Sequence, residues 1–225
     1  MKITPDTLAR IALRPANDNM RSTIRGLAMR PTQICQPHRL YHFLGQAAHE
    51  SGAWRYDREL WGPTPAQSRY EWRIDLGNID RGDGYLYRGR AGFEITGHAN
   101  YADFTVWARA NYPGSPDFVT SPDLINSDPW EGLASIWYWE SHGLNSLADA
   151  GDIEAVTRRI NGGVNGIADR IKYTIAAGVI LGGYPDIKAF QKLHGLTVDG
   201  IAGPITLGKL HAVLQHCPPV LFALT

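Results

Sequence analysis

The sequence predicts a mainly α-helical fold, and three observations support this. Apolar residues recur at helical spacing in several stretches, capping residues precede those stretches, and glycines follow them. No run of four or more alternating apolar and polar residues marks a strand, and the best short strand candidate is Phe93-Glu94-Ile95. We therefore expect helices joined by loops, with little sheet.

The predicted helices follow one another through the chain. The first covers residues 39–50, and three more follow the capping residues Asp128, Asp152 and Asp169. Beyond the glycines at 182–183, Asp186 precedes a short helix, and the last helix carries Leu207, Leu210 and Leu214. Residues 62–101 have few helix signals and many glycines, arginines and aromatic residues, so we expect a long loop with a functional role there.

Length and composition limit the class of protein. A chain of 225 residues suffices for one domain with a small appendage, and 44% hydrophobic residues supply a core. Lys+Arg and Asp+Glu both number 22, and this balance argues against a dedicated nucleic-acid partner. The two cysteines are too few for a disulfide scaffold. The longest apolar stretch, residues 175–181, is far shorter than an integral membrane segment.

The first 45 residues are the most basic part of the chain. They hold seven Lys or Arg against two Asp, a surplus of five positive charges. Such a stretch could bind an anionic polymer or a membrane surface, although a solvated face is favoured. The first 19 residues lack the apolar core and cleavage site of a signal peptide, so we expect no classical secretion.

Two glutamates stand out as candidate catalytic groups. Glu50 closes an apolar helix, Gly52 then releases the chain, and Glu59 follows nine residues after Glu50. Two carboxyl groups across a sugar-sized gap hydrolyse glycosides as acid and base, although a pair at this spacing is weak evidence on its own. Aromatic and arginine side chains that suit sugar binding surround the pair in sequence. These are Trp54, Tyr56, Trp61, Tyr70, Trp72, Tyr85 and Tyr87, with Arg55, Arg58, Arg69, Arg73, Arg88 and Arg90.

Five motifs stand out along the chain. They are His49-Glu50-Ser51-Gly52, residues 58–67 (RELWGPTPAQ), Tyr87-Arg88-Gly89-Arg90, residues 95–101 (ITGHANY) and Arg159-Ile160-Asn161-Gly162-Gly163. Together they resemble the glycoside hydrolase family 19 (chitinase-like) domain found in bacteriophage endolysins. The motifs keep the family's order and cover roughly residues 25 to 182. The resemblance implies a lysozyme-like, bilobal, mainly α fold that hydrolyses β-1,4 links between N-acetylated amino sugars with inversion.

The resemblance also implies roles for individual residues. Glu50 would be the general acid, Glu59 the general base, and Thr96 would help to hold the attacking water. The residues expected to bind substrate are Gln67, Tyr70, Arg88, Asn100 and Asn161. No metal or other cofactor is implied.

The chain departs from the family's usual pattern at two positions. Ala91 stands where a glycine is usual, and Glu94 stands where a glutamine is usual. A third carboxyl group beside the pair would either change the pH dependence or pair with an arginine. The sequence leaves both possibilities open.

The tail resembles a type-1 peptidoglycan-binding repeat over roughly residues 185–214. The similarity rests on residues 187–192 (IKAFQK) and 195–206 (GLTVDGIAGPIT). About thirty residues can hardly fold alone, so we expect this segment to pack on the catalytic domain. We accordingly divide the chain into a catalytic domain, residues 1–182, and a short wall-binding segment, residues 183–225. The alternative is a structural extension without wall affinity.

Rival chemistries have less support in the sequence. His38, His42 and His49 could share a helix face, but the fifth residue from His49 is Ala53, so the zinc motif HExxH is absent. No Gly-x-Ser-x-Gly nucleophile motif is present, and Gly162-Gly163-Val164-Asn165-Gly166 lacks the Gly-Lys-Ser/Thr of a phosphate loop. A non-catalytic wall-binding protein remains an alternative, but retention of both glutamates argues against it.

Together these inferences predict a monomeric endolysin that cuts the glycan strands of bacterial peptidoglycan and lyses the host cell. We expect it to stay in the host cytoplasm until a separate pore releases it to the wall. The alternative within the same chemistry is a chitinase.

Overall fold

The computed structural model describes residues 1–224, and it shows a mainly α-helical, two-lobed chain. Its elements are β1 (Lys2–Ile3), α1 (Pro5–Ala12), α2 (Asp18–Met29), α3 (Pro37–Glu50), α4 (Pro65–Ser68), α5 (Asp83–Leu86), α6 (His98–Asn111), α7 (Trp130–Ser141), α8 (Leu144–Asp149), α9 (Ile153–Asn161), α10 (Ile167–Leu181), α11 (Ile187–Leu193), α12 (Pro204–Gln215) and β2 (Leu221–Phe222). Short 3₁₀ turns cover Gln33–Cys35, Ile74–Leu76 and Pro122–Asn126.

The larger lobe is built around α3 and α10, which pack along each other. They approach closely at Gly45, where a Cβ atom would overlap the side chain of Thr174. A second close crossing joins α2 to α7, because a Cβ on Gly132 would overlap the backbone oxygen of Ser22. The buried core of this lobe includes Phe43, Trp54, Trp139, Ile180 and Phe190.

The smaller lobe has its own core around α6. Tyr101, Phe104, Phe118 and Ile125 are fully buried there. Helix α7 belongs to both lobes: Trp139 packs into the larger core, and Trp137 packs into the smaller one. The predicted mainly α, bilobal architecture is therefore confirmed.

The basic N-terminal stretch forms two helices that the sequence analysis did not identify. Pro5 begins α1, and Asn17 caps α2 by accepting a hydrogen bond from the backbone N–H of Met20 at 3.0 Å. The arginines of this stretch pair with carboxylates elsewhere in the larger lobe. The long-range pairs are Arg25–Asp128, Arg30–Glu140 and Arg39–Asp149.

Two of the four predicted capping aspartates cap their helices. Asp152 and Asp186 each accept a backbone hydrogen bond, at 2.8 Å, in the first turn of α9 and α11. The predictions for Asp128 and Asp169 were wrong, because both carboxylates have charged or ionisable partners instead. Asp128 pairs with Arg25, and α7 begins at Trp130. Asp169 lies inside the first turn of α10 and contacts His49.

The best strand candidate in the sequence, residues 93–95, does not form a strand. Glu94 adopts a left-handed backbone conformation with φ of 48°, which turns the chain where a strand would extend it. Only isolated antiparallel bridges form here, between Arg58 and Arg90 and between Arg90 and Ile95. The predicted long loop is interrupted by α4, α5 and one 3₁₀ turn, which are too short to have given a periodic signal. Its last four residues already belong to α6, a 14-residue helix that was not predicted.

The C-terminal segment packs on the larger lobe. Helix α12 contacts α3 and α10, and the Tyr41 hydroxyl lies 3.1 Å from Nδ1 of His211. The last residues return to the N-terminus, where β2 pairs in parallel with β1. No helix within residues 1–224 is both long enough and apolar enough to cross a bilayer.

Candidate active site

A small set of backbone hydrogen bonds brings predicted site residues together. It joins residues 57–59, 89–91 and 95. The backbone N–H of Glu59 donates to the oxygen of Gly89 at 2.9 Å, and the N–H of Ile95 donates to the oxygen of Arg90 at 2.8 Å. A Cβ on Gly89 would lie 3.5 Å from Cβ of Glu59, 3.0 Å from Cβ of Glu94 and 3.3 Å from Oγ1 of Thr96. Glu59, Glu94 and Thr96 are therefore neighbours on the smaller lobe.

Glu50 reaches the same region from the larger lobe. It is the last residue of α3, and its side chain is 17% exposed. Nη2 of Arg170 lies 2.5 Å from Oε1 of Glu50 without the geometry of a hydrogen bond. Arg170 is itself buried and donates to Gln46 and to the backbone oxygen of Asn165. A fixed positive charge thus holds the Glu50 carboxyl group in place.

A cleft between the lobes joins these two walls. Residues from α3, α6, α7 and α9 line it, together with the 3₁₀ turn Ile74–Leu76, the Phe93–Thr96 turn and the residue that follows α7. They are Glu50, Leu76, Phe93, Glu94, Thr96, Asn100, Tyr138, His142, Ile160 and Asn161. Glu59 does not line this cleft, but it lies beside Gly89, next to two residues that do, Glu94 and Thr96. The predicted acid thus lines the cleft, and the predicted base lies beside its smaller-lobe wall.

Glu59 is held in one orientation by two donors. The Tyr70 hydroxyl donates to its Oε1 at 3.4 Å, and the backbone N–H of Gly89 donates to its Oε2 at 3.3 Å. Burial, followed by the charges of Glu59 and Glu94, raises the pKa of Tyr70 to about 12, so this hydroxyl keeps its proton. Tyr70 therefore serves as a hydrogen-bond donor to Glu59. A carboxylate oriented by two donors suits a general base.

Thr96 is oriented by its own turn. Its hydroxyl donates to the backbone oxygen of Glu94 at 2.7 Å. With its hydrogen used in this way, the oxygen of Thr96 can only accept a further hydrogen bond, for example from a water molecule.

The remaining predicted substrate residues divide into two groups. Asn100 and Asn161 line the cleft, and each also donates to a nearby backbone oxygen. Gln67 is buried and bonds to the backbone of residues 60, 62 and 64, so it shapes its own loop. Arg88 is buried against Tyr85, donates to the oxygen of that residue at 2.9 Å, and does not line the cleft.

The aromatic residues near the glutamates also separate into two kinds. Trp54 and Tyr87 are buried in the two cores. Trp61 packs edge-on against Tyr85, with ring centroids 5.3 Å apart, and Trp72 is exposed. Sequence proximity to Glu59 alone did not distinguish core aromatics from surface ones.

Sequence reasoning missed Arg170 as a functional residue. The signal available was its position in α10, where it occupies the same stripe as the buried residues Thr174, Ala177 and Leu181. A charged residue in such a stripe needs a partner, and Glu50 is that partner.

The sequence left two possibilities open for Glu94, a change in pH dependence or an ion pair with an arginine. Among residues 1–224, no ion pair joins Glu94 to an arginine.

Glu94 lies at the open side of the cleft and is exposed there. Partial desolvation by the cleft walls, followed by the charges of Glu50 and Glu59, raises the pKa of Glu94 to about 7. Ala91, the other departure from the usual pattern, has a positive φ of 62°, which explains why glycine is usual there.

The histidines of α3 do not converge on a metal site. His38 contacts Asp149, His49 contacts Asp169, and His42 is buried without a hydrogen-bond partner. Across the described part of the chain, no three His, Cys, Asp or Glu side chains are grouped to hold a metal ion.

A second concavity lies in the C-terminal segment. Residues 195–206 line it, including Thr197, Asp199 and Ile205. Buried Gln191 holds this loop by donating to Asp199 and Ile201 and accepting from the N–H of Gly200.

Comparisons with known proteins agree with this arrangement. The chain is 31% identical over 157 residues to a glycosyl hydrolase family 19 domain-containing protein of Haemophilus influenzae, a match that covers 58% of this chain and 74% of that protein. The family described as "Putative peptidoglycan binding domain" matches residues 186–210.

Solved structures share the fold. Chitinase C from Streptomyces griseus matches with a TM-score of 0.63 at 18% identity, over 80% of this chain and 92% of that chain. A family GH19, class IV chitinase from Zea mays matches with a TM-score of 0.54 at 16% identity, over 80% and 92% of the two chains. At these identities the likeness establishes the fold alone.

Proposed function

Because this chain belongs to glycoside hydrolase family 19, we propose that it hydrolyses the β-1,4 links of peptidoglycan glycan strands. The observation that carries the proposal is the cleft that Glu50 enters from one lobe and Glu59 adjoins from the other. The match of residues 186–210 to a peptidoglycan-binding family supports the cell wall as the substrate.

In the proposed reaction, Glu50 protonates the departing glycosidic oxygen. Glu59 removes a proton from a water molecule, which attacks the sugar from the opposite face and inverts its anomeric configuration. Thr96 accepts a hydrogen bond from that water, since its own hydroxyl hydrogen is directed to the backbone. Asn100 and Asn161 bind the sugar along the cleft wall.

We further propose that residues 183–225 bind the wall while residues 1–182 cut it. The concavity at residues 195–206 offers a binding surface, and packing of α12 on the catalytic lobe makes the two parts one body. The monomeric state, the lytic role of a phage endolysin and release through a separate pore also belong to this proposal.

The substitution Glu50→Gln tests the reaction. We expect turnover of purified peptidoglycan to fall at least ~100-fold, the low end for loss of a general acid, with an unchanged circular dichroism spectrum. Glu154→Gln, on the exposed face of α9, is the matched control and should leave turnover unchanged. Near-wild-type lysis of outer-membrane-stripped cells by Glu50→Gln would reject the proposal.

The stereochemistry of the product tests the role of Glu59. NMR of the first product should show the inverted anomer, whereas retention would exclude Glu59 as the base that activates water.

A chitinase is the second candidate, because the solved structures that share this fold are chitinases. Mass spectrometry of fragments from purified peptidoglycan and from chitin distinguishes the two. Faster cleavage of chitin would favour the chitinase.

A further inference from the structure

Three carboxyl groups meet at the cleft, and they differ in what holds them. Glu50 lies against the positive charge of Arg170, and Glu59 accepts hydrogen bonds from the Tyr70 hydroxyl and the Gly89 N–H. Glu94 has neither a cation nor a hydrogen-bond donor among residues 1–224. Negative charge on the neighbouring carboxyl groups disfavours the ionised form of Glu94, and no partner within the described residues offsets that effect. Glu94 therefore holds a proton more readily than an isolated carboxyl group.

The backbone of Glu94 supports a functional role for this side chain. Its φ of 48° is uncommon for a residue with a side chain, and such conformations concentrate at functional sites. The turn is fixed by hydrogen bonds between Arg90 and Ile95, and Glu94 itself lines the cleft opposite Glu50. The side chain is therefore placed where a bound glycan would pass.

Two other ionisable side chains, Tyr138 and His142, line the cleft near Glu94. Tyr138 faces the cleft from α7, and burial raises its pKa to about 12, so it stays neutral. His142 also lines the cleft, with its Nδ1 2.8 Å from the backbone oxygen of Tyr138. His142 is therefore the other ionisable side chain at this wall that the test must replace separately.

We propose that Glu94 is a specificity-determining residue which, in its protonated form, donates a hydrogen bond to an oxygen of the neutral glycan. When the carboxyl group loses its proton, it can no longer donate, and its negative charge faces sugar oxygens that are acceptors. The inference rests on the proposed function, since it concerns binding of glycan in the same cleft.

The effect on affinity follows from the fraction of enzyme that keeps the proton. The pKa of Glu94 is raised to about 7, so the proton is present at pH 6 and largely lost at pH 8. If only the protonated form binds, KM rises roughly tenfold between these values, because apparent affinity scales with the competent fraction. The turnover number should change much less.

The test compares the wild-type enzyme with Glu94→Gln and His142→Asn from pH 5.5 to 9. Release of reducing ends from sonicated peptidoglycan fragments gives kcat and KM separately. The amide of Glu94→Gln donates at every pH, so its KM should stay flat while the wild-type KM rises. His142→Asn should keep the wild-type rise. The proposal is overturned if Glu94→Gln keeps that rise, or if His142→Asn removes it.

A second measurement does not depend on activity. Carbon-13 labelling of the seven glutamate carboxyl groups, with Glu94→Gln to assign one signal by its absence, gives the titration of Glu94 directly. Assignment matters, because burial also raises the pKa of Glu131, to about 8. A Glu94 midpoint near 7 supports the proposal, and a midpoint below 5 overturns it. If the titration is as expected but Glu50→Gln remains active, the proposed reaction fails and the titration of Glu94 stands.

Discussion

His42 should make the fold sensitive to acid, and replacing it with leucine should remove much of that sensitivity. The imidazole is fully buried in α3, and neither ring nitrogen has a hydrogen-bond partner among residues 1–224. Burial, with smaller contributions from His211 and His38, lowers the pKa of His42 to about 3, and Asp149 opposes this only slightly. The folded protein therefore keeps this ring neutral at every pH above about 3.

The direction of the pH effect follows from the two states. The unfolded chain binds a proton at His42 below its ordinary pKa of 6.5, while the folded chain does not. Stability from this group is thus complete above pH 6.5 and declines as the pH falls toward 3. The loss is roughly 1 kcal/mol at pH 5.5 and roughly 3 kcal/mol at pH 4.5, from about 1.4 kcal/mol per pH unit.

Urea unfolding followed by tryptophan fluorescence measures this directly at pH 7.5, 5.5 and 4.5. His42→Leu removes two unpaired polar atoms at similar volume, so at pH 7.5 its stability should lie within roughly 1.5 kcal/mol of wild type. Between pH 7.5 and 4.5 it should lose roughly 3 kcal/mol less than wild type. His216→Gln, at an exposed histidine, should follow the wild-type curve. Parallel curves for wild type and His42→Leu would refute the argument.

Two further stability predictions use neighbouring elements. Gly132→Ala should lower the free energy of unfolding by roughly 2 kcal/mol, because the new methyl group overlaps the backbone of Ser22. Gly208→Ala in α12 should raise it by roughly 0.5–1 kcal/mol, because its methyl group meets no described atom within 4 Å. Equal unfolding midpoints for the two alanine variants would contradict the close crossing of α2 and α7. Arg170→Met leaves the buried end of Glu50 without its cation and should lower the free energy of unfolding by roughly 3 kcal/mol. A loss below roughly 1 kcal/mol would show that the pair contributes little to the fold.

Local chemistry predicted α3, α7 and the helices from α9 to α12, but it missed α1, α2, α6 and α8 and was less accurate at the helix ends. Asp152 and Asp186 cap helices because no cation competes for them, while Asp128 and Asp169 have partners from distant parts of the chain. Such partners are invisible in sequence spacing. The helices α1 and α2 did carry signals, in Pro5 and in the cap at Asn17, although no helix was predicted there.

The candidate site was predictable in its residues but not in its contacts. Glu50 and Glu59 came from motif resemblance, and the structure brings both toward one cleft. The partnership of Glu50 with Arg170 could not be read from sequence, because it joins two helices 120 residues apart in the chain. Gln67 was predicted to bind substrate because it lies within a matching motif. Its side chain instead makes its hydrogen bonds to the backbone of its own loop.

Helix α3 links the chemistry of the cleft to the stability of the whole chain. Its last residue, Glu50, enters the cleft, Gly45 admits α10 closely enough for Arg170 to reach that carboxyl group, and Tyr41 contacts the C-terminal segment through His211. The acid-sensitive His42 lies between these contacts. Because His42 takes up a proton only when the chain unfolds, acid does not release the C-terminal segment from an intact cleft. Since one helix supports all of these contacts, loss of the cleft and undocking of α12 should coincide as the chain unfolds.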